Sequence, residues 1–317
     1  MGIIKLLKNW TLPCAMAFGT VMYLIFGLIP ELSPVADICG PTVVVLMPVT
    51  LFLMLYVTFC KMKISDMKPE QWHWWLIIYQ IVSTAVIVGL ALLAGTKDMK
   101  VLCEGVLASV ICPAATAGPV ITGKLGGNAA SLTTYTLISN IITALLVPVF
   151  FPMVEKEADI TFMAAFLKIL NMVVLVLIVP LVLAWATRKW FHRLHGWVCA
   201  QKDLAFYLWG FSLSMVMGQT VKSIVHADVS VGIMLWIALA ITVLCVFQFA
   251  FGKTLGGRFG RRITAGQAVG QRNTSFAIWM AVTYLNPVSA VGPGCYVVAQ
   301  NIINSWQLWR VRNGKKI

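Results

Sequence analysis

Ten runs of about twenty mostly apolar residues, each long enough to cross a bilayer as a helix, follow one another along the chain: 11–29, 41–60, 72–94, 101–123, 128–152, 162–186, 204–220, 229–251, 263–285 and 290–309. The pattern predicts an all-α membrane protein with ten transmembrane helices. Two of these spans are interrupted. The fourth contains Cys112-Pro113-Ala114-Ala115-Thr116-Ala117-Gly118-Pro119, and two prolines with a glycine remove helix hydrogen bonds and force a bend. The ninth starts as a membrane helix and then carries Gln267, Gln271, Arg272, Asn273, Thr274 and Ser275 around Gly270. The expected helix breaks are Pro113, Gly118, Pro119 and Gly270. The fifth span opens with Gly126-Gly127-Asn128 and carries Ser131, Thr133, Thr134, Thr136, Ser139 and Asn140, side chains fit for hydrogen bonding inside a bundle. Gln80 sits in the middle of the third.

Composition agrees with the spans. The 317 residues are 60% hydrophobic and 11% charged, with a mean hydropathy of +0.87, against about 25% charged in soluble domains. The net charge of +13 suggests a nucleic-acid surface until its placement is read. With the N-terminus in the cytoplasm, 18 basic residues lie in cytoplasmic segments (Lys5, Lys8, Lys63, Lys202 and Lys316 among them). Only Lys97, Lys100, Lys156 and Lys222 lie outside, while Lys168 and Arg272 fall within spans. Excess lysine and arginine on the inside orients membrane proteins, so both termini are expected in the cytoplasm and no nucleic-acid partner is implied. The short loops suggest a bacterial inner membrane.

Acidic residues gather on the other side, including Glu31, Asp37, Asp98, Glu155, Glu157, Asp159 and Asp228. The acidic loop 155–159 divides the chain into two sets of five spans, 1–152 and 162–317. Five is odd, so two similar halves would have opposite topology, with the broken fourth and ninth spans in corresponding places. Paired interrupted spans point to a transporter binding site near the membrane midplane. The eight cysteines are scattered without a C-x-x-C and read as small buried apolar side chains; no metal site is expected from them or from the four histidines.

An arginine at membrane depth costs about 2.5–3.5 kcal/mol on insertion scales and is tolerated where it faces a bundle interior or a cavity. Arg272 is therefore the leading site residue, with Asn273, Thr274, Ser275, Gln271, Gln267, Thr116, Thr122 and Thr136 as candidates to line a cavity at the breaks. The alternative is that Arg272 only ties the two broken helices together. Glu104 is either a proton-titratable group or, as the preferred reading, a helix-start carboxylate. Lys168 is expected to snorkel outward.

These residues resemble the bile acid:sodium symporter family over nearly the whole chain. Residues 112–117, Cys-Pro-Ala-Ala-Thr-Ala, look like the family's C-P-G-G-T-A. Gly127-Asn128 matches its G-N, and Gly270-Gln271-Arg272-Asn273 looks like the end of its E-x-G-x-Q-N. The resemblance implies ten helices. Helices 1, 2, 6 and 7 would form a panel and helices 3–5 and 8–10 a core, with broken helices 4 and 9 crossing at the substrate site. It also implies organic-anion substrates and two sodium ions.

The positions aligned with the sodium ligands have changed. A Ser-Asn pair becomes Gly118 and Pro119. A serine and a threonine of the next helix become Leu132 and Thr136. The shared glutamate becomes Ala268, the glutamine becomes Arg272, and a third-helix glutamine corresponds to Gln80. Shifting by one residue puts Gln267 in the glutamate's place without supplying charge. A guanidinium has only donors and cannot coordinate a cation. One glutamate with two sodium ions sums to +1, as do Ala268 and Arg272. Arg272 is thus expected to be a built-in cation, and sodium is not expected as a bound ion. The function expected is alternating-access transport of an organic anion (bile-acid-like, steroid conjugate or small carboxylate), secondary active or facilitative, with no obligate protein partner. The alternatives are a sodium-coupled symporter of the usual type and a transporter-fold sensor. An enzyme is not expected, since no paired acid–base set lies at membrane depth.

Overall fold

The computed structural model describes residues 11–62, 68–155, 161–201, 204–226 and 229–315. The expected cytoplasmic Lys5, Lys8, Lys63, Lys202 and Lys316, and the acidic-side Lys156, Glu157, Asp159 and Asp228, lie outside the described residues. The described chain is helical: α1 Thr11–Leu28, α2 Ser33–Lys61, α3 Gln71–Leu92, α4 Lys97–Ile111, α5 Gly118–Lys124, α6 Ala129–Val154, α7 Phe162–Leu177, α8 Val179–Trp190, α9 His192–Ala200, α10 Leu204–Val225, α11 Val231–Gly257, α12 Arg262–Gly270, α13 Thr274–Tyr284 and α14 Val291–Arg312. Five stretches among the described residues are long and apolar enough to cross a membrane: Asp37–Lys61, Gln71–Leu92, Ala129–Val154, Phe162–Trp190 and Val231–Gly257.

Local chemistry sets many of the helix ends. Thr96, Asn128, Thr161, Ser230 and Asn273 precede α4, α6, α7, α11 and α13, and each side chain accepts a backbone N–H from the first turn, satisfying a donor the helix cannot. The predicted sixth span divides at Ile178 into α7 and α8, with Pro180 in the first turn of α8, where its missing N–H is harmless. The outward faces carry large apolar side chains such as Leu235, Trp236, Val243 and Leu90, each more than half exposed, as expected where hydrocarbon is the solvent.

Packing sorts the helices into two groups. α1, α2 and α7–α10 pack on one another; α3–α6 and α11–α14 form the other group. The groups meet where α6 lies along α7, where α13 touches α2 and α10, and where α14 touches α10.

Candidate functional site: two broken spans crossing at a cleft

The predicted fourth span is α4 and α5, parted by residues 112–117. The ninth is α12 and α13, parted by residues 271–273. With 9 and 11 residues, α12 and α13 reach about 14 and 17 Å at 1.5 Å per residue, so neither crosses a bilayer alone.

The two breaks pair with each other. Ala114 and Arg272 form an antiparallel bridge, with Ala115 N donating to Gln271 O and Asn273 N to Pro113 O, both at 2.8 Å. Backbone groups freed inside a membrane must find partners, and the surrounding helices provide the rest. Ile111 O accepts from Gln80 Nε2 at 2.9 Å and Thr143 Oγ1 at 2.9 Å. Ala114 N donates to Ser139 Oγ at 3.3 Å. Arg272 N donates to Gln300 Oε1 at 2.9 Å. The Tyr296 hydroxyl lies 2.6 Å from Gln248 Oε1 and 2.9 Å from Gly270 O.

Arg272 is the largest polar side chain in this interior, 1% exposed. Its Nη1 donates to Cys112 O at 3.1 Å, and its Nε lies 3.4 Å from Gln248 Oε1. Cys112 caps the C-terminus of α4, where the helix dipole favours a cation. Nη2 has no hydrogen-bond partner and no carboxylate forms an ion pair with Arg272 among the described residues. The guanidinium thus ties one broken span to the other and leaves a buried positive charge unneutralised.

A narrow cleft opens where the crossing faces the other group of helices. Ala115, Thr116, Gln271, Asn273, Thr274 and Ser275 line one side, with Arg272 and Gln300; Met54 of α2 and Trp209 of α10 line the other. It offers a water-sized sphere about 10 Å³ of room, roughly enough for one water. Thr116 Oγ1, Gln271 Oε1 and Asn273 Nδ2 are buried there without hydrogen-bond partners among the described residues. The Ser212 hydroxyl of α10 donates to Ser275 Oγ at 2.9 Å, bridging the two helix groups.

The other candidates lie elsewhere. Gln267 Nε2 bonds Asn304 Oδ1 and Gln307 Oε1, both at 3.1 Å, which fastens α12 to α14. Thr122 is buried in the second half of α5, against Gly127. The Thr136 hydroxyl donates to Leu132 O of its own helix at 3.0 Å.

The expected break residues need correction. Pro113 lies in the first break. Gly118 and Pro119 instead restart the chain as the first residues of α5. Gly270 is the last residue of α12 and has no positive φ; a Cβ there would lie 2.3 Å from the Phe249 ring, so this glycine serves close packing and not a backbone turn. Glu104 is also not at a helix start: α4 begins at Lys97, and Glu104 lies two turns in, fully buried. Gln248, Gln300, Tyr296 and Ser212 were missed. Glutamines within apolar runs were a readable sign for the first two, since polar groups at membrane depth need a reason.

Of the positions that the resemblance sets against sodium ligands, Gly118, Pro119, Leu132 and Ala268 carry no side-chain oxygen, the donor a hard cation wants. Leu132 and Ala268 belong to one apolar cluster with Ala114 and Tyr135. The Leu132 side chain lies 3.2 Å from where a Cβ on Gly118 would be. Both ends of the Gln80 amide are engaged, Nε2 as above and Oε1 accepting from Ser139 Oγ at 3.2 Å.

A charged cluster sits outside the spans, at the N-terminus of α3. Glu70 accepts from Arg261 Nε at 2.7 Å, Ser131 Oγ at 2.5 Å and Trp72 Nε1 at 3.2 Å. Partial burial works to raise the Glu70 pKa, but the Arg261 hydrogen bond, with those of Ser131 and Trp72, outweighs it and holds the carboxyl below its ordinary value.

A model of the sodium bile acid symporter family matches residues 48–249, more than half of the chain. The match ends before α12, so the second break with Arg272 lies beyond it. No curated protein matches the chain.

Proposed function

Because the chain belongs to the sodium bile acid symporter family, we propose that this membrane transporter carries an organic anion by alternating access and does so without bound sodium. The carrying observation is Arg272, a buried guanidinium at the crossing with no carboxylate partner among the described residues. In this reading the ten spans are α1, α2, α3, α4 with α5, α6, α7 with α8, α10, α11, α12 with α13, and α14. They form two inverted repeats of five, with both termini in the cytoplasm of a bacterial inner membrane. The first helix group is a panel and the second a core that rocks against it. The anion sits between them, where that motion widens the cleft.

Charge and chemistry support that occupant. The fixed +1 of Arg272 and the N-terminus of α13 make the crossing favourable to a negative group. The unpartnered Thr116, Gln271 and Asn273 groups can bond it, while Met54 and Trp209 offer an apolar wall to an amphipathic body. The guanidinium takes the place of sodium in holding the crossing together, and the substrate meets its field.

The test is thermal unfolding of the purified protein with taurocholate, a steroid sulfate, pantothenate or pyruvate, in sodium or potassium at equal ionic strength. A ligand that binds the folded state raises its stability. The expected result is stabilisation by at least one anion, the same in either salt, and accumulation of that anion in proteoliposomes. Arg272→Gln is expected to fold and to lose most of the uptake. Stabilisation that requires sodium would overturn the reading, and binding without flux would make the protein a sensor.

A further inference from the structure

A second charged group lies midway along α4, away from the cleft. Glu104 is fully buried. Its Oε2 accepts from Asn286 N at 3.0 Å, and its Oε1 has no hydrogen-bond partner among the described residues. Lys100, one turn earlier, stands 3.9 Å from Glu104 Oε1 but bonds Glu155 Oε1 at 2.7 Å. Glu155 follows the last residue of α6, so Lys100 stands between the carboxyl groups of two helices.

Two acids therefore share one ammonium. With both acids ionised the cluster carries one net negative charge, and its buried member, Glu104, lies away from water while Lys100 and Glu155 are about a third exposed. A single proton on Glu104 removes the buried charge from its unpartnered oxygen and makes the cluster neutral. The remaining titratable neighbour is Cys103 of α4. α3, α11, α13 and α14 bring no ion pair to Glu104 among the described residues. Ser289, whose hydroxyl is also buried without a partner, packs its backbone against Gly105.

Position gives this cluster a means of coupling. α4 runs from Glu104 to the first break at Cys112, eight residues or about 12 Å away. Asn286 begins the connection between α13 and α14, and α13 starts at the second break. The Glu104 carboxyl thus ties the middle of α4 to the chain just beyond the end of α13.

We propose that Glu104, which shares Lys100 with Glu155, is the binding site for a proton that moves with the anion. This rests on the carrier reading above. One proton joins Glu104, a singly charged anion enters the cleft, and both leave on the opposite side with no net charge moved. Arg272 stays charged throughout.

The site can be tested apart from transport. In liposomes, infrared difference spectra recorded across the physiological pH range are expected to show a protonated-carboxyl band that Glu104→Gln removes. Glu155→Gln, at a partly exposed position, is expected to keep the band and move its midpoint to lower pH. Absence of the band from the wild type, or its survival in Glu104→Gln, overturns the proposal. In proteoliposomes an inward acid gradient is expected to drive taurocholate accumulation, and Glu104→Gln to lose at least ten-fold of it while retaining exchange of labelled for unlabelled taurocholate. Exchange that persists while the wild type ignores the gradient overturns proton coupling alone. Loss of exchange in the wild type, with the infrared band present, overturns the carrier reading for this anion and leaves the protonation site standing.

Discussion

At Arg272 a residue forbidden by the ordinary rules of a membrane interior is held by specific partners. Its backbone N–H goes to Gln300, one side-chain nitrogen to the end of α4, and another toward Gln248. Its importance was readable in the chain, because a guanidinium within an apolar run has no cheap location. Its partners were not readable, since Cys112 is 160 residues away. Gly270 teaches the opposite lesson. A glycine beside polar residues looks like a helix breaker, yet its side-chain position is taken by the Phe249 ring, 2.3 Å from an added Cβ. Gly270→Ala is therefore expected to lower stability by about 1–3 kcal/mol, the usual cost of overpacking, and Phe249→Leu in the same chain to recover part of it. Thermal unfolding of the single and double variants measures this; an unchanged midpoint in Gly270→Ala would mean that the close approach does not constrain the helix.

Among elements, the broken spans depend on helices distant in sequence. α3 brings Gln80, α6 brings Ser139 and Thr143, and α14 brings Tyr296 and Gln300 to groups the breaks leave unpaired. Proline and glycine marked where the spans fail, but not which residues begin the next helix. Just before α3, Glu70 joins the starts of α3 and α6 to Arg261, just before α12. Its lowered pKa gives a signed expectation. The ionised carboxylate stabilises the folded state fully above the ordinary glutamate value, and that contribution is lost as pH falls through the lower folded value. The pair is about a third exposed, so the effect is small, about 0–1 kcal/mol. The midpoint difference between wild type and Glu70→Gln should be largest near neutral pH and vanish in acid. A difference that stays constant on acidification would remove Glu70 ionisation as its source.

For the whole molecule, the two helix groups meet along a seam that passes the cleft. The Ser212–Ser275 hydrogen bond crosses it between α10 and α13. If one group moves against the other during transport, a covalent link here must stop the cycle. Ser212→Cys with Ser275→Cys is expected to support uptake when reduced and to lose at least ten-fold of it on oxidation, with recovery on adding a reductant; the single variants should ignore oxidation. Undiminished uptake by the cross-linked protein would rule out relative motion at this seam.

The amino-acid sequence by itself determined the all-helical membrane character, the places where the fourth and ninth spans are interrupted, and the likeness to one transporter family. Those follow from run length, proline and glycine placement and residue chemistry, all of which are local. Only the tertiary structure decided that the interruptions pair with each other. It also decided that Leu132 and Ala268 close into apolar packing, that Arg272 serves the end of α4, and that Glu104 and Glu155 share Lys100. Such contacts depend on which helix faces lie together, and residues separated by 160 positions, as Cys112 and Arg272 are, carry no local sign of their partners.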